Sequence, residues 1–180
     1  MIKRFQSTDM LTMMRTFFLG FVLILITSCG FQLRGQMDYA ISSVYIQSEA
    51  ADILASQVKQ YLTTESNVTL AATPKNADVV ILLSQQKLDR RVLSISAITG
   101  HLQEIELSFQ ANVEMRQPDD TVLMKEQTLN YIRDYSYNEQ AVLAMGAEEE
   151  ALRKELLQEA TLHVLRMLQI VSHQINAEEA

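Results

Sequence analysis

Hydrophobic positions fall along this chain in several distinct patterns, and each predicts a different element. Phe17 to Ile26 is an almost unbroken apolar run behind Lys3, Arg4 and Arg15. From Ala50 to Glu65 the residues Ile53, Leu54, Val58, Tyr61 and Leu62 recur at helical spacing, which predicts an amphipathic helix with Ser48 as its N-cap and Asn67, in a left-handed conformation, as its stop. Val44 to Ile46 before it reads as a strand. Val68 to Ala71 reads as a short strand, and residues 73–76 as a turn. Ala77 to Leu83 is a β-branched run without polar alternation, as expected of a strand covered on both faces. Strand, helix and strand then make a right-handed βαβ unit.

Period-two alternation is clearest from Glu104 to Met115. Ile105, Leu107, Phe109, Ala111, Val113 and Met115 face one side, and Glu104, Glu106, Ser108, Gln110, Asn112 and Glu114 the other. Val92 to Ser96 precedes it as a strand, with Thr99-Gly100 as the connecting hairpin turn and Gly100 able to take positive φ. Residues 117–120 make a second hairpin, and Val122 to Tyr135 a third meander strand. Asn138 caps a long helix to about Ile175, whose inward stripe holds Leu152, Leu156, Ala160, Val164, Met167 and Val171. Glu149 with Arg153 and Glu150 with Lys154 are i,i+4 pairs on its wet side. The predicted fold is α/β, an α+β sandwich: a small mixed four-stranded sheet with two helices packed on one face and the other sheet face open. Residues 173–180 are expected to be frayed.

The N-terminal run has a separate meaning. Ten apolar residues in a helix span about 15 Å, half of a bilayer's hydrocarbon core, which is too short for a membrane span and right for a signal peptide. It ends in Ile26-Thr27-Ser28-Cys29, an aliphatic residue, two small ones and the chain's single cysteine. That is the arrangement of a lipoprotein signal, in which the Cys29 thiol takes a diacylglyceryl group before cleavage. A lone thiol with no disulfide partner is otherwise a liability in an oxidising compartment. The domain organisation read from this is a signal peptide over residues 1–28 and one periplasmic domain over residues 29–180. Gly30, in place of an Asp, favours export to the outer membrane.

Removing the leader, with its three cations and Asp9, leaves twelve basic and 21 acidic residues, a net charge of −9. Such an acidic domain does not suit nucleic acid, and an anionic ligand would need a local basic cluster. His101, His163 and His173 have no metal-ligand spacing, since the last two lie roughly 80° apart around a helix. Nucleophile elbows, phosphate loops and Cys-x-x-Cys pairs do not occur, and the run Glu148 to Glu150 reads as a solvated helix face. An enzyme is therefore not expected, and neither a cofactor nor a metal is called for. A binding or assembly role remains. Its candidate basic residues are Lys87, Arg90 and Arg91 at a strand, and Arg116, Lys125 and Arg133 in the meander, where arginine can meet phosphates bidentately.

Several segments resemble the LptE family of lipopolysaccharide-assembly lipoproteins. Cys29-Gly30-Phe31-Gln32-Leu33-Arg34-Gly35 is the most specific. The similarity continues through Ala77-Asp78, Val92-Leu93-Ser94, Gly100, Glu104 to Leu107, Arg133-Asp134-Tyr135-Ser136-Tyr137, Val142-Leu143-Ala144 and the last helix. The resemblance implies an outer-membrane lipoprotein that sits as a plug in the lumen of the β-barrel translocon LptD. Such a protein helps that barrel assemble and helps deliver lipopolysaccharide to the outer leaflet. It also implies lipopolysaccharide binding, for which Arg90, Arg91, His101 and Arg133 are the candidates. The hairpin tip, residues 97–101, carries no Lys or Arg, a departure from the family's pattern of basic residues near that hairpin. The other reading compatible with these features is an auxiliary lipoprotein of a different envelope lipid-transport system.

Overall fold

Five strands form one mixed sheet in the order β2-β1-β3-β4-β5: β1 (Ser43–Glu49), β2 (Thr69–Leu70), β3 (Val79–Ile95), β4 (Leu102–Arg116) and β5 (Val122–Ser136). Two helices, α1 (Asp52–Glu65) and α2 (Val142–Glu178), lie on one face. The computed structural model describes residues 38–178, so the signal peptide and Cys29 lie outside the described residues. The α/β class and the helices on one face are as expected. The sheet has five strands instead of four, because Thr69–Leu70 pairs with the start of β1 as a two-residue parallel edge.

Both β2 and β3 run parallel to β1, with α1 as the crossover. Asp78 fixes the start of this unit, its carboxylate accepting the Ser42 and Ser43 amides at 2.8 and 2.9 Å. Local capping differs from expectation. The N-cap of α1 is Ala51, which has no side-chain cap; Ser48 lies one turn earlier, bonded to the Ala51 amide and to Asp52. The free amide of Leu54 is taken instead by Gln86 Oε1 of β3 at 3.0 Å. At the other end of α1, Ser66 closes the helix by donating to Leu62 O at 2.6 Å, and Asn67 is not left-handed.

Antiparallel pairing of β3, β4 and β5 accounts for most of the sheet. The six alternating residues predicted to face inward on β4, Ile105 to Met115, are all buried. They meet Val44, Ile46, Ile81 and Leu83 from the neighbouring strands, and Leu54, Val58 and Leu62 of α1 with Leu156, Ala160, Val164, Leu165 and Leu168 of α2, as one continuous core. Burying each of the valine, leucine and isoleucine side chains among them contributes roughly 1.5–3 kcal/mol. The Ala77 to Leu83 run is expected to be covered on both faces, yet only one face of the strand carries helices. Val80 is nonetheless buried on the opposite face, where its ladder neighbours are Tyr45 and Arg116.

Turns follow the sequence closely. Gly100 has φ 73° in the β3–β4 hairpin, and Asp120 has φ 69° in the β4–β5 hairpin. A 3-10 turn, Glu139–Ala141, precedes α2, with Asn138 Oδ1 accepting the Gln140 amide. Residues 173–178, expected to be frayed, continue the helix. Among the described residues no helix is long and apolar enough to cross a membrane.

Candidate functional site

The molecule divides along its length. Near residues 38–42, Ala40 bonds Ser172 Oγ, and both helices cover the sheet. Towards the other end β1 and α1 are gone, and α2 alone lies over the distal parts of β3, β4 and β5. The core there narrows to Ile105, Leu107 and Phe109 of β4 with Tyr135 of β5, and polar contacts fasten α2 to β3 and β5 along the two margins.

Glu149 joins the two margins, reaching Arg90 of β3 and Tyr135 of β5. Its carboxylate accepts the Tyr135 hydroxyl at 2.6 Å, Arg90 Nε at 3.2 Å, and Arg153 Nη2 and Nε at 2.6 and 3.0 Å. The Tyr135 hydrogen bond, with the two arginines, holds this carboxyl below its usual range against the opposing effect of burial. Burial, and the acceptor role of Glu149, push the Tyr135 phenol up. Arg90 also lies over the Tyr137 ring, 5.9 Å from its centroid. The expectation that Glu148 to Glu150 form a solvated face fails at Glu149, whose helix position turns it back onto the sheet.

On the β5 margin Arg133 pairs with Glu155 at 3.0 Å and Glu159 at 2.6 Å. One turn further on, Tyr131 Oη and His163 Nδ1 are 2.6 Å apart. In the tautomer protonated at Nε2 the phenol donates and the imidazole accepts. Burial, and the nearby Arg166, push the His163 pKa down.

The four basic residues proposed for lipopolysaccharide are therefore not brought to one patch. Arg90 and Arg133 lie on the helix-covered face and bond carboxylates of α2. Arg91 lies on the uncovered face and pairs with Glu106 at 2.9 Å, with its side chain 70% exposed. His101 is exposed at the tip, beside a cleft of about 480 Å³ between the tip and residues 137–140.

Two surfaces remain for a partner. The uncovered sheet face is mixed: Lys87, Asp89, Arg91, Glu106, Glu114 and Arg116, several of them paired within the face, lie beside Tyr45, Val80, Leu82 and the exposed Ile132. The distal hairpin exposes aliphatic side chains that sequence periodicity does not single out: Val92, Leu93, Ile95 and, almost wholly bare, Ile98. Leu143, in the first turn of α2, is 93% exposed. An aliphatic residue inside a turn, as at Ile98, is the available sequence signal. Among the described residues no group of His, Cys, Asp and Glu converges as a metal site.

Residues 41–168 match the family model described as LptE, lipopolysaccharide-assembly. Over 168 residues the chain is 28% identical to the LPS-assembly lipoprotein LptE of Photorhabdus laumondii, covering 91% of this chain and 88% of that protein. Among solved structures, lipoprotein B of Nitrosomonas europaea is similar at 25% identity and a TM-score of 0.67, over 82% of this chain and 94% of that one. The rare lipoprotein B of Shewanella oneidensis shares the fold, with a TM-score of 0.62 at 24% identity over 76% of this chain and 99% of its own.

Proposed function

We propose, from the premise that this chain belongs to the LptE family of lipopolysaccharide-assembly lipoproteins, that it acts as the plug and assembly partner of an LptD-type β-barrel in the outer membrane. The family's role is lipopolysaccharide assembly, and catalysis is no part of it. Cys29, acylated after removal of residues 1–28, holds the domain at the periplasmic side of that membrane. Three acyl chains, at about 0.8 kcal/mol per buried methylene, make such an anchor effectively permanent.

The observation that carries the plug reading is the uncovered sheet face. Sheets backed by helices on one side commonly leave the other face to solvent; here that face of β3, β4 and β5 is uncovered and mixed, with charges paired to one another beside the exposed Ile132. The lumen of a large barrel is itself polar and wet, so a plug needs a hydrophilic surface with hydrogen-bonding groups already in place. Lipopolysaccharide contact in this reading falls to Arg91 and His101, the more exposed of the four candidates, while Arg90 and Arg133 brace α2.

Replacing the anchor tests the reading. Cys29→Ser should leave the precursor unprocessed by the lipoprotein peptidase, move the chain out of the outer-membrane fraction, and lower the amount of assembled barrel. Normal maturation and outer-membrane fractionation of that variant would contradict it.

A further inference from the structure

Strand β1 stops at Glu49, opposite Ser84, but β3 runs on to Ile95. Ala50, with φ 59°, turns the chain away into α1. Beyond Ser84, therefore, β3 is paired only with β4 among the described residues. From Lys87 to Val92 that pairing is in unbroken register with Gln110 to Ile105, leaving a straight free edge of about 20 Å. Both ends of the edge are defined. Below it, the bulge at Gln85 (φ 53°) is locked by the Gln86 amide donating to Ala50 O at 2.9 Å and by Gln86 Oε1 on Leu54. Above it, the register slips at Val92 to Ile95.

Resting on the plug reading above, we propose that the Lys87–Val92 edge takes an extended segment of the barrel partner as an added strand, in line with β1. Main-chain hydrogen bonds would supply the affinity and flanking side chains the choice of partner. The other long edge is less available: on β5, Arg133 Nη1 donates to the Ile132 carbonyl at 2.9 Å, occupying an edge acceptor. Among the described residues no side chain bonds the backbone of Lys87–Val92. Its arginines are drawn off to either side, Arg90 to Glu149 over the helix face and Arg91 to Glu106 over the bare face. With Arg90 and Arg91 so paired, Lys87 is left as the edge's cation without a carboxylate partner among the described residues, and a lysine on an edge strand opposes pairing with a second copy of itself. The segment that fits carries an acidic residue near Lys87 and aliphatic residues near the exposed Val92, Leu93 and Ile95.

Hydrogen exchange on the full lipoprotein, free in detergent and in its purified barrel complex, reads the edge directly. Alternate amides within Lys87–Val92 should exchange at least tenfold more slowly in the complex, with residues 123–134 of β5 unchanged. A barrel complex whose Lys87–Val92 amides exchange as in the free chain overturns this inference and leaves the plug reading standing. Wild-type preparations without any barrel overturn both. Protection that instead grows with concentration of the free chain would make the occupant a second copy, and also overturns it. Proline provides an independent check, because successive strand amides point to opposite sides. Of Asp89→Pro and Val92→Pro, the one whose amide points outward should melt as the wild type does while losing at least tenfold in barrel capture. Full capture by both variants contradicts the proposal.

Discussion

Single residues settle how α2 is held over the distal sheet. Glu149 accepts from Tyr135, Arg90 and Arg153, which lie 14, 59 and four positions away in sequence. Only the Arg153 pairing is helical in spacing, so it alone was legible in the sequence; the others follow from register between strands. Glu149→Ala should lower unfolding stability by about 1–3 kcal/mol, the cost of leaving charged hydrogen bonds unmade, and urea denaturation measures it. An unchanged midpoint would mean that α2 is held without it. His163 gives a pH signature. Its pKa is depressed in the folded state, so the stability it contributes is complete above the ordinary histidine pKa and falls as pH drops through the lower folded value. Melting temperature should therefore fall between pH 7 and pH 5, and His163→Gln should flatten that part of the profile.

At the scale of elements, local chemistry was easiest to read where one periodicity dominated. The alternation along β4 named its buried face residue by residue, and the helical stripe of α2 its inward side. Capping was harder. Ser48 and Asn67 are the residue types that cap helices, but α1 starts four residues after the first and ends through Ser66. Its N-terminal amide is served by Gln86, a residue of another strand brought there by a bulge that leaves no mark in the sequence. The two described glycines make opposite predictions. Gly146 sits inside α2 with open space where a Cβ would go, so Gly146→Ala should stabilise by about 0.5–1 kcal/mol. Gly100 has positive φ, so Gly100→Ala should destabilise by about 1 kcal/mol. Thermal melts of the two variants should move in opposite directions.

For the molecule as a whole, composition and pattern predict a lipid-anchored α/β domain with a binding or assembly role, and the α/β class is observed; family resemblance pointed to lipopolysaccharide assembly, which the family match supports. The arrangement of charge was not legible from either. Arg90, Arg91 and Arg133 look alike in the sequence, yet the pleat sends Arg91 to the bare face and the other two under α2. The same geometry leaves an uncovered sheet face and an aliphatic hairpin tip at the end far from residue 38, the surfaces assigned to the barrel in the function proposed above. Native mass spectrometry of the chain, extracted from outer membranes in detergent through an affinity tag, tests this most directly. One copy of this chain with one large outer-membrane β-barrel is the predicted mass; the chain recovered alone, or with a soluble or inner-membrane transporter component and no barrel, would contradict it.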